Sequence, residues 1–189
     1  KKITTGMRKW VKEGKSNGHW RERFVLQQYV LLLSNSGIRI GEMRNVTWDD
    51  ISSMEADTGK LVIIRVNGKT GISQLEDTDP PLHEAIFINP KTSIPITSFK
   101  VGFNSMLRYC EIPIAKEGMN RTIYSLRHFY GTQRLRGNIN PYILAKNMGT
   151  SVEMIEKFYG HILTPDIVSS IKKASNQSSS KNLKGSYPF

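Results

Sequence analysis

Apolar residues recur at helical spacing between His19 and Ser34, where Phe24, Leu26 or Gln27, Val30, Leu31 and Leu33 keep the period and Arg21, Glu22 and Gln28 lie elsewhere. That spacing predicts a helix, and Gly37 is its natural stop. Ile40 to Val46 reads as a second, short helical piece. The period then changes. Ile51 to Ala56 alternates, Asp57-Thr58-Gly59-Lys60 is a turn, and Leu61 to Val66 is rich in β-branched residues. Asn67-Gly68 is a hairpin signal, and Ile72 to Leu75 supplies a returning strand. Acidic, proline-bearing sequence follows from Glu76 to Pro81 as a loop.

Helical patterns dominate the remainder. Ser98 to Tyr109 carries Phe99, Val101, Phe103, Met106 and Leu107 as its apolar positions, and Ser125 to Leu135 forms another helix. Pro141 opens a further helix that ends near Met148-Gly149. Thr150 opens the next, with Thr150 and Glu153 spaced as a capping box, and Pro165 opens a last one. The expected fold class is mainly α with a small antiparallel three-stranded β-sheet (α+β). Residues 1–23 read as a basic arm, 24–174 as the main domain and 175–189, mostly Ser, Asn and Lys, as a flexible C-terminal tail.

Charge changes the picture more than composition does. Lys plus Arg number 27 against 16 acids in 189 residues, a net charge of +11. Such a surface attracts polyanions, nucleic acid first among them. No apolar run approaches the ~20 residues of a membrane span, and Lys1-Lys2 leads into polar sequence rather than a signal peptide. Cys110 is the sole cysteine, which excludes an intramolecular disulfide and a cysteine-based zinc site, and a reducing, cytoplasmic compartment is expected. His19, His83, His128 and His161 are not spaced as a metal set, so no metal or other cofactor is expected. The chain opens without Met, as a fragment of something longer would.

What remains for chemistry is a group of arginines, a hairpin lysine and a tyrosine. Arg39 sits between Gly37 and Gly41, with Glu42 as an obvious ion partner; Arg127 sits near a helix start, where an anion is welcome. Two guanidinium forks from distant elements could clamp one phosphodiester. Lys69 would stand at the tip of the Asn67-Gly68 hairpin, and Tyr159 lies in an apolar stripe with Ile155, Phe158 and Ile162. Taken singly, each has a plainer role: a core tyrosine, a salt-bridged arginine, a solvated lysine. Only their combination outweighs those roles.

That combination resembles the catalytic domain of tyrosine recombinases, the phage-integrase group. Ser36-Gly37-Ile38-Arg39-Ile40-Gly41-Glu42 is similar to the family's first arginine box, and Gly68-Lys69-Thr70-Gly71 to its lysine hairpin. Ser125-Leu126-Arg127-His128-Phe129-Tyr130-Gly131-Thr132 is similar to the second arginine box, and Met148-Gly149-Thr150, followed by Tyr159 and His161, to the family's end. Two positions depart from it. Tyr124 stands where the family has His three residues before the second Arg, and Thr150 where it has His or Trp. Those departures leave the general base open. Gly71 to Phe87 is also short beside the family.

The resemblance implies the recombinase catalytic fold over 24–174, with 1–23 as the interdomain linker. It implies Tyr159 as nucleophile, Arg39 and Arg127 as the phosphate clamp, and Lys69 as general acid. Tyr124 and Thr150 would bond phosphate oxygens, although Thr150 could equally serve only as a cap. Glu42 would orient Arg39, and His128 and His161 would support the site from behind it. Lys9, Lys12, Lys15, Arg21 and Lys157 would hold DNA. It further implies double-stranded DNA as partner, an N-terminal DNA-clamping domain missing here, a free monomer, and a tetramer assembled on DNA in a bacterial or prophage setting. An inactive DNA-binding or assembly module of the same fold, and a type IB topoisomerase, are the alternatives.

Overall fold

The computed structural model describes residues 2–57, 59–66, 85–116 and 118–160. The chain divides into two compact units, Lys1–Tyr130 and Gly131–Phe189.

The first unit is built around three helices, α1 (Lys2–Glu13), α2 (Trp20–Ser36) and α4 (Lys100–Tyr109), which pack on one another. Helix α2 forms where expected, but of its expected apolar positions Phe24 is exposed and Leu31 only half-buried, and Tyr29 joins the inward face instead. Leu26, Tyr29, Val30 and Leu33 point inward at spacings of three and four, and all are buried. Full burial of each such side chain contributes roughly 1.5–3 kcal/mol. From α4, Phe103, Met106 and Leu107 complete the same core.

Helix α1 corrects the expectation of a basic arm over 1–23. Its Met7 and Trp10 are buried in the core with α2 and α4. Of the cations in this stretch, Lys9, Lys12, Lys15 and Arg21 are exposed. Arg23 fastens α2 to α1: its Nη1 donates to the Trp10 carbonyl at 2.7 Å, and its guanidinium lies 4.7 Å from the centre of the Trp10 ring. The arm is therefore part of the folded unit, because two large apolar side chains one helical turn apart outweigh the surrounding charge.

Helix α2 ends at Gly37, which has φ +68° and donates its N–H to the Leu33 carbonyl at 3.0 Å. A side chain there would also meet the Tyr130 ring, since a Cβ built on Gly37 falls 2.3 Å from Tyr130 Cδ1. Gly37→Ala combines left-handed strain with overpacking. It is expected to cost about 2–5 kcal/mol, read as a fall in the urea midpoint at unchanged slope. A loss below about 1 kcal/mol would show that the Tyr130 ring gives way freely.

The short helix α3 (Ile40–Arg44) follows, then a 3₁₀ turn over Trp48–Asp50. Strands β1 (Ile51–Ala56) and β2 (Gly59–Ile64) pair antiparallel, Ile51 opposite Ile64. The expected third strand, Ile72 to Leu75, lies outside the described residues, so the described sheet has two strands rather than three. A second small pair, β3 (Ala115–Lys116) with β4 (Met119–Asn120), had no counterpart in the sequence pattern, because two-residue strands carry no periodicity. Lys91 in the loop before α4 reaches Glu22 of α2 at 2.6 Å, and its ammonium holds the Glu22 carboxyl below the usual carboxylate range.

Helix α5 (Ser125–Arg136) begins in the first unit, and its residues from Gly131 belong to the second. There α6 (Pro141–Met148) starts with Asn140, whose side chain accepts from the Tyr142 N–H at 2.8 Å. It stops at Gly149 in the left-handed conformation, and the Thr150 N–H closes it on the Ala145 carbonyl at 2.9 Å. The next helix occupies 152–160. Its cap is Ser151, not Thr150: the Ser151 Oγ accepts from the Met154 N–H at 3.2 Å. The Thr150 backbone N–H thus serves the end of one helix, one residue before the start of the next. Among the described residues of this unit, Leu135, Leu144, Ala145, Met148, Ile155 and Tyr159 are the buried apolar side chains. Phe158, expected in the stripe of Tyr159, is instead 47% exposed. The expected helix from Pro165 and the tail over 175–189 lie outside the described residues. Among the described residues no helix is long and apolar enough to cross a membrane.

Candidate functional site

Arg39 follows the left-handed Gly37 and Ile38, and opens α3 from an extended conformation. Glu42, one turn on, serves it twice. One carboxylate oxygen accepts from the Arg39 backbone N–H at 3.2 Å, and the other accepts from Arg39 Nη1 at 2.7 Å. The Arg39 side chain is 40% exposed and that of Glu42 only 11%. The pair's stabilising value is therefore modest. Its consequence is geometric, because the carboxylate fixes where an accessible guanidinium stands.

Arg127 is the only buried charged side chain among the described residues, at 6% exposure. Burying a guanidinium without partners costs several kcal/mol. Here its Nη1 donates to the Gly37 carbonyl at 2.5 Å, across 90 residues of sequence. One residue thus meets α5 twice: the Gly37 backbone lies against Tyr130, where only glycine leaves room, and its carbonyl holds Arg127. The fold brings the Gly37-Ile38-Arg39 segment and the Arg127 helix together. The start of α5 is secured by the Thr122 N–H donating to Ser125 Oγ at 3.1 Å and the Arg127 N–H donating to the Tyr124 carbonyl at 3.0 Å.

Tyr124 and His128, one turn apart on this helix, meet edge to face, with ring centres 5.1 Å apart at 78°. Tyr124 is 45% exposed. Burial, and secondarily the Arg127 charge, hold the His128 imidazole below its ordinary pKa of 6.5. The folded chain therefore resists protonation that the unfolded chain accepts. Stability is undiminished above the unfolded pKa, falls as pH drops through it, and levels below the folded value. His128→Gln is expected to remove that component. The urea midpoint of the wild type minus that of the variant should decline on acidification below about pH 6.5; a pH-independent difference would place His128 outside this linkage.

In the second unit, Tyr159 is buried, at 6% exposure, and its ring lies against Gly131. A Cβ on Gly131 would fall 2.9 Å from Tyr159 Cζ and 3.1 Å from its hydroxyl oxygen. Glycine inside a helix costs about 1 kcal/mol relative to alanine. Its presence four residues after Arg127 was a readable sign that something approaches the α5 backbone closely. Thr150 is half-buried, and its backbone N–H serves α6. Lys157 is exposed. Lys69 and His161 lie outside the described residues. No group of three or more His, Cys, Asp and Glu side chains gathers as a metal site among the described residues.

In sequence, neither a family profile nor a curated protein matches the chain. Solved structures do. The integrase of the Tn1549 transposon, in complex with transposon right end DNA, matches with a TM-score of 0.54 and 15% identity over 87% of this chain and 62% of that one. The same integrase in complex with a circular intermediate DNA gives 0.50 and 14% over 80% and 58%. XerA recombinase gives 0.51 and 14% over 88% and 62%. The chain thus spans about three-fifths of the length of these structures. At such identities the likeness shows the fold alone: the mainly helical chain with a small antiparallel sheet shares the fold of these integrase and recombinase structures.

Proposed function

We propose that the chain is the catalytic part of a site-specific DNA recombinase or integrase, which breaks and rejoins DNA through a 3′-phosphotyrosyl link to Tyr159. The observation that carries this is the buried Arg127 guanidinium, anchored on the Gly37 carbonyl beside the Arg39 segment. A buried cation serving only stability would be a poor choice, since a well-packed apolar side chain does as well or better. A cation pinned by a backbone carbonyl is one whose position matters. The fold likeness to an integrase determined with DNA, and the net charge of +11, point to the same substrate.

In the proposed reaction, the Tyr159 oxygen attacks a DNA phosphorus and passes its proton to solvent water. The phosphorus–5′-oxygen bond breaks, and the departing 5′-oxygen takes a proton from Lys69. Arg39 and Arg127 offset the second negative charge of the pentavalent phosphate; each such fixed donor contributes about 3–4 kcal/mol to the barrier reduction. One diester is exchanged for another, so neither ATP nor a metal enters the balance. Attack by a 5′-hydroxyl from a second duplex reverses the chemistry and exchanges strands. Tyr124 lies at the start of the Arg127 helix, where its hydroxyl would bond a phosphate oxygen. Thr150 is assigned the same role, Glu42 holds Arg39, and His128 and His161 support the site. Lys9, Lys12, Lys15, Arg21 and Lys157 would meet DNA phosphates. The reading includes a cytoplasmic, mobile-element setting, an N-terminal clamp domain, and passage from free monomer to tetramer on two sites.

The test is covalent capture. The chain, expressed within its natural protein, is incubated with a library of nicked duplexes whose cleaved end diffuses away, then denatured. The expected product is a protein–DNA adduct whose DNA-bearing peptide contains Tyr159. Duplex binding with no adduct on any sequence would overturn catalysis and leave a DNA-binding module of the same fold.

A further inference from the structure

Next to the Arg39 and Arg127 segments, within the first unit, lies a pocket of about 420 Å³ that neither motif explains. Its buried aromatic lining comes from Tyr29 of α2 and Phe103 of α4, and Tyr124 stands at its exposed edge. Three cations from three separate elements line it: Arg44 at the end of α3, Lys100 at the start of α4 and Arg121 after β4. No carboxylate lines it. Among the described residues, no ion pair engages Arg44 or Lys100. Three like charges around one hollow repel one another unless an anion enters.

We propose that this pocket seats a non-reacting phosphate of the bound DNA strand, gripped by Arg44, Lys100 and Arg121. The proposal rests on the recombinase reading only for the identity of the polyanion. Several features suit a phosphate. The Arg121 guanidinium is fixed in advance, because its Nη1 donates to the Pro113 carbonyl. Lys100 opens a helix of ten residues, whose first amides and dipole favour an anion beside the ammonium. Tyr29 adds no opposing charge: burial, partly offset by Arg44, pushes its phenol up to about 12, so it stays neutral. Tyr124 touches both this pocket and His128, next to Arg127. A strand gripped here would be held in register with respect to the Arg39–Arg127 clamp, so the pocket acts as a positioning site.

The experiment is a scan of binding by the chain to duplexes in which single phosphates are replaced by neutral methylphosphonate. One position other than the cleaved phosphate should weaken wild-type binding about tenfold. The same replacement should have no further effect on the Arg44→Gln/Lys100→Gln double variant. That variant should also flatten the dependence of log K on log salt by about one unit. Both side chains are exposed, and the single Lys100→Gln variant provides the same cycle should the double variant melt early. A scan in which every sensitive phosphate stays equally sensitive in the variants would overturn the proposal. So would tight, variant-sensitive binding of inorganic phosphate that duplex DNA fails to displace, since the anion would then be a free one. Binding alone is read, so a failed scan leaves covalent capture at Tyr159 standing, and failed capture leaves the scan standing.

Discussion

Tyr159→Phe is expected to bind duplex DNA as the wild type does and to form no covalent adduct, a loss on the order of 10⁴-fold or more, as removal of a nucleophile typically gives. The hydroxyl oxygen is the only atom removed. The ring that lies on Gly131 and fills the second unit's buried set remains, so the melting temperature should move by a few degrees at most. Capture on nicked duplexes and thermal melting, run on the same preparation, separate chemistry from folding. An adduct in the Phe variant at a wild-type rate would transfer the nucleophile to another residue. A phenol has an ordinary pKa of ~10 and needs neighbouring cations to ionise or to shed its proton during attack. The variant therefore also reports on the clamp: only a site with working cations shows a difference between Tyr and Phe.

Arg127→Ala is expected to fail in two separable ways. The Gly37 carbonyl loses its donor and the guanidinium's space empties, a destabilisation of about 1–3 kcal/mol. Independently, the developing phosphate charge loses one fixed donor, a fall of about 10²–10³ in single-turnover cleavage. Arg127→Lys separates the two. A lysine ammonium reaches one acceptor as a point charge but not a carbonyl and a phosphate together in fork geometry. It should recover much of the urea midpoint and little of the rate. Cleavage by Arg127→Ala within about threefold of wild type, at a denaturant concentration where both are folded, would remove Arg127 from the clamp.

The parts of the fold legible in the sequence are those where one local rule suffices. Helix α2 was readable because four core positions keep a 3.6 period and a glycine ends it. The β1–β2 hairpin was readable from its turn and alternation. Helix α1 was not, because its cations mask two core residues; the deciding quantity, burial of Met7 and Trp10, belongs to packing. The cap before 152–160 was misplaced by one residue, since Thr150 and Ser151 are chemically equivalent at a cap and only the end of α6 decides between them. In the candidate site, the Arg39–Glu42 pair follows from a spacing of three on a helix. The Arg127–Gly37 bond does not, as nothing local joins residues 90 apart. Arg44, Lys100 and Arg121 are unremarkable in sequence and become a group only when three elements meet.

Gly37 terminates a helix through its backbone angle, lies flat against Tyr130, and offers the carbonyl on which Arg127 rests. The first two duties concern folding alone, and the third concerns folding and the proposed chemistry together. In copies of such a gene that keep the fold after losing activity, the arginine is therefore held by its stabilising contacts alone, and the glycine by its backbone angle and its close packing as well. The order in which the two disappear from decaying relatives would date the loss of function without any assay.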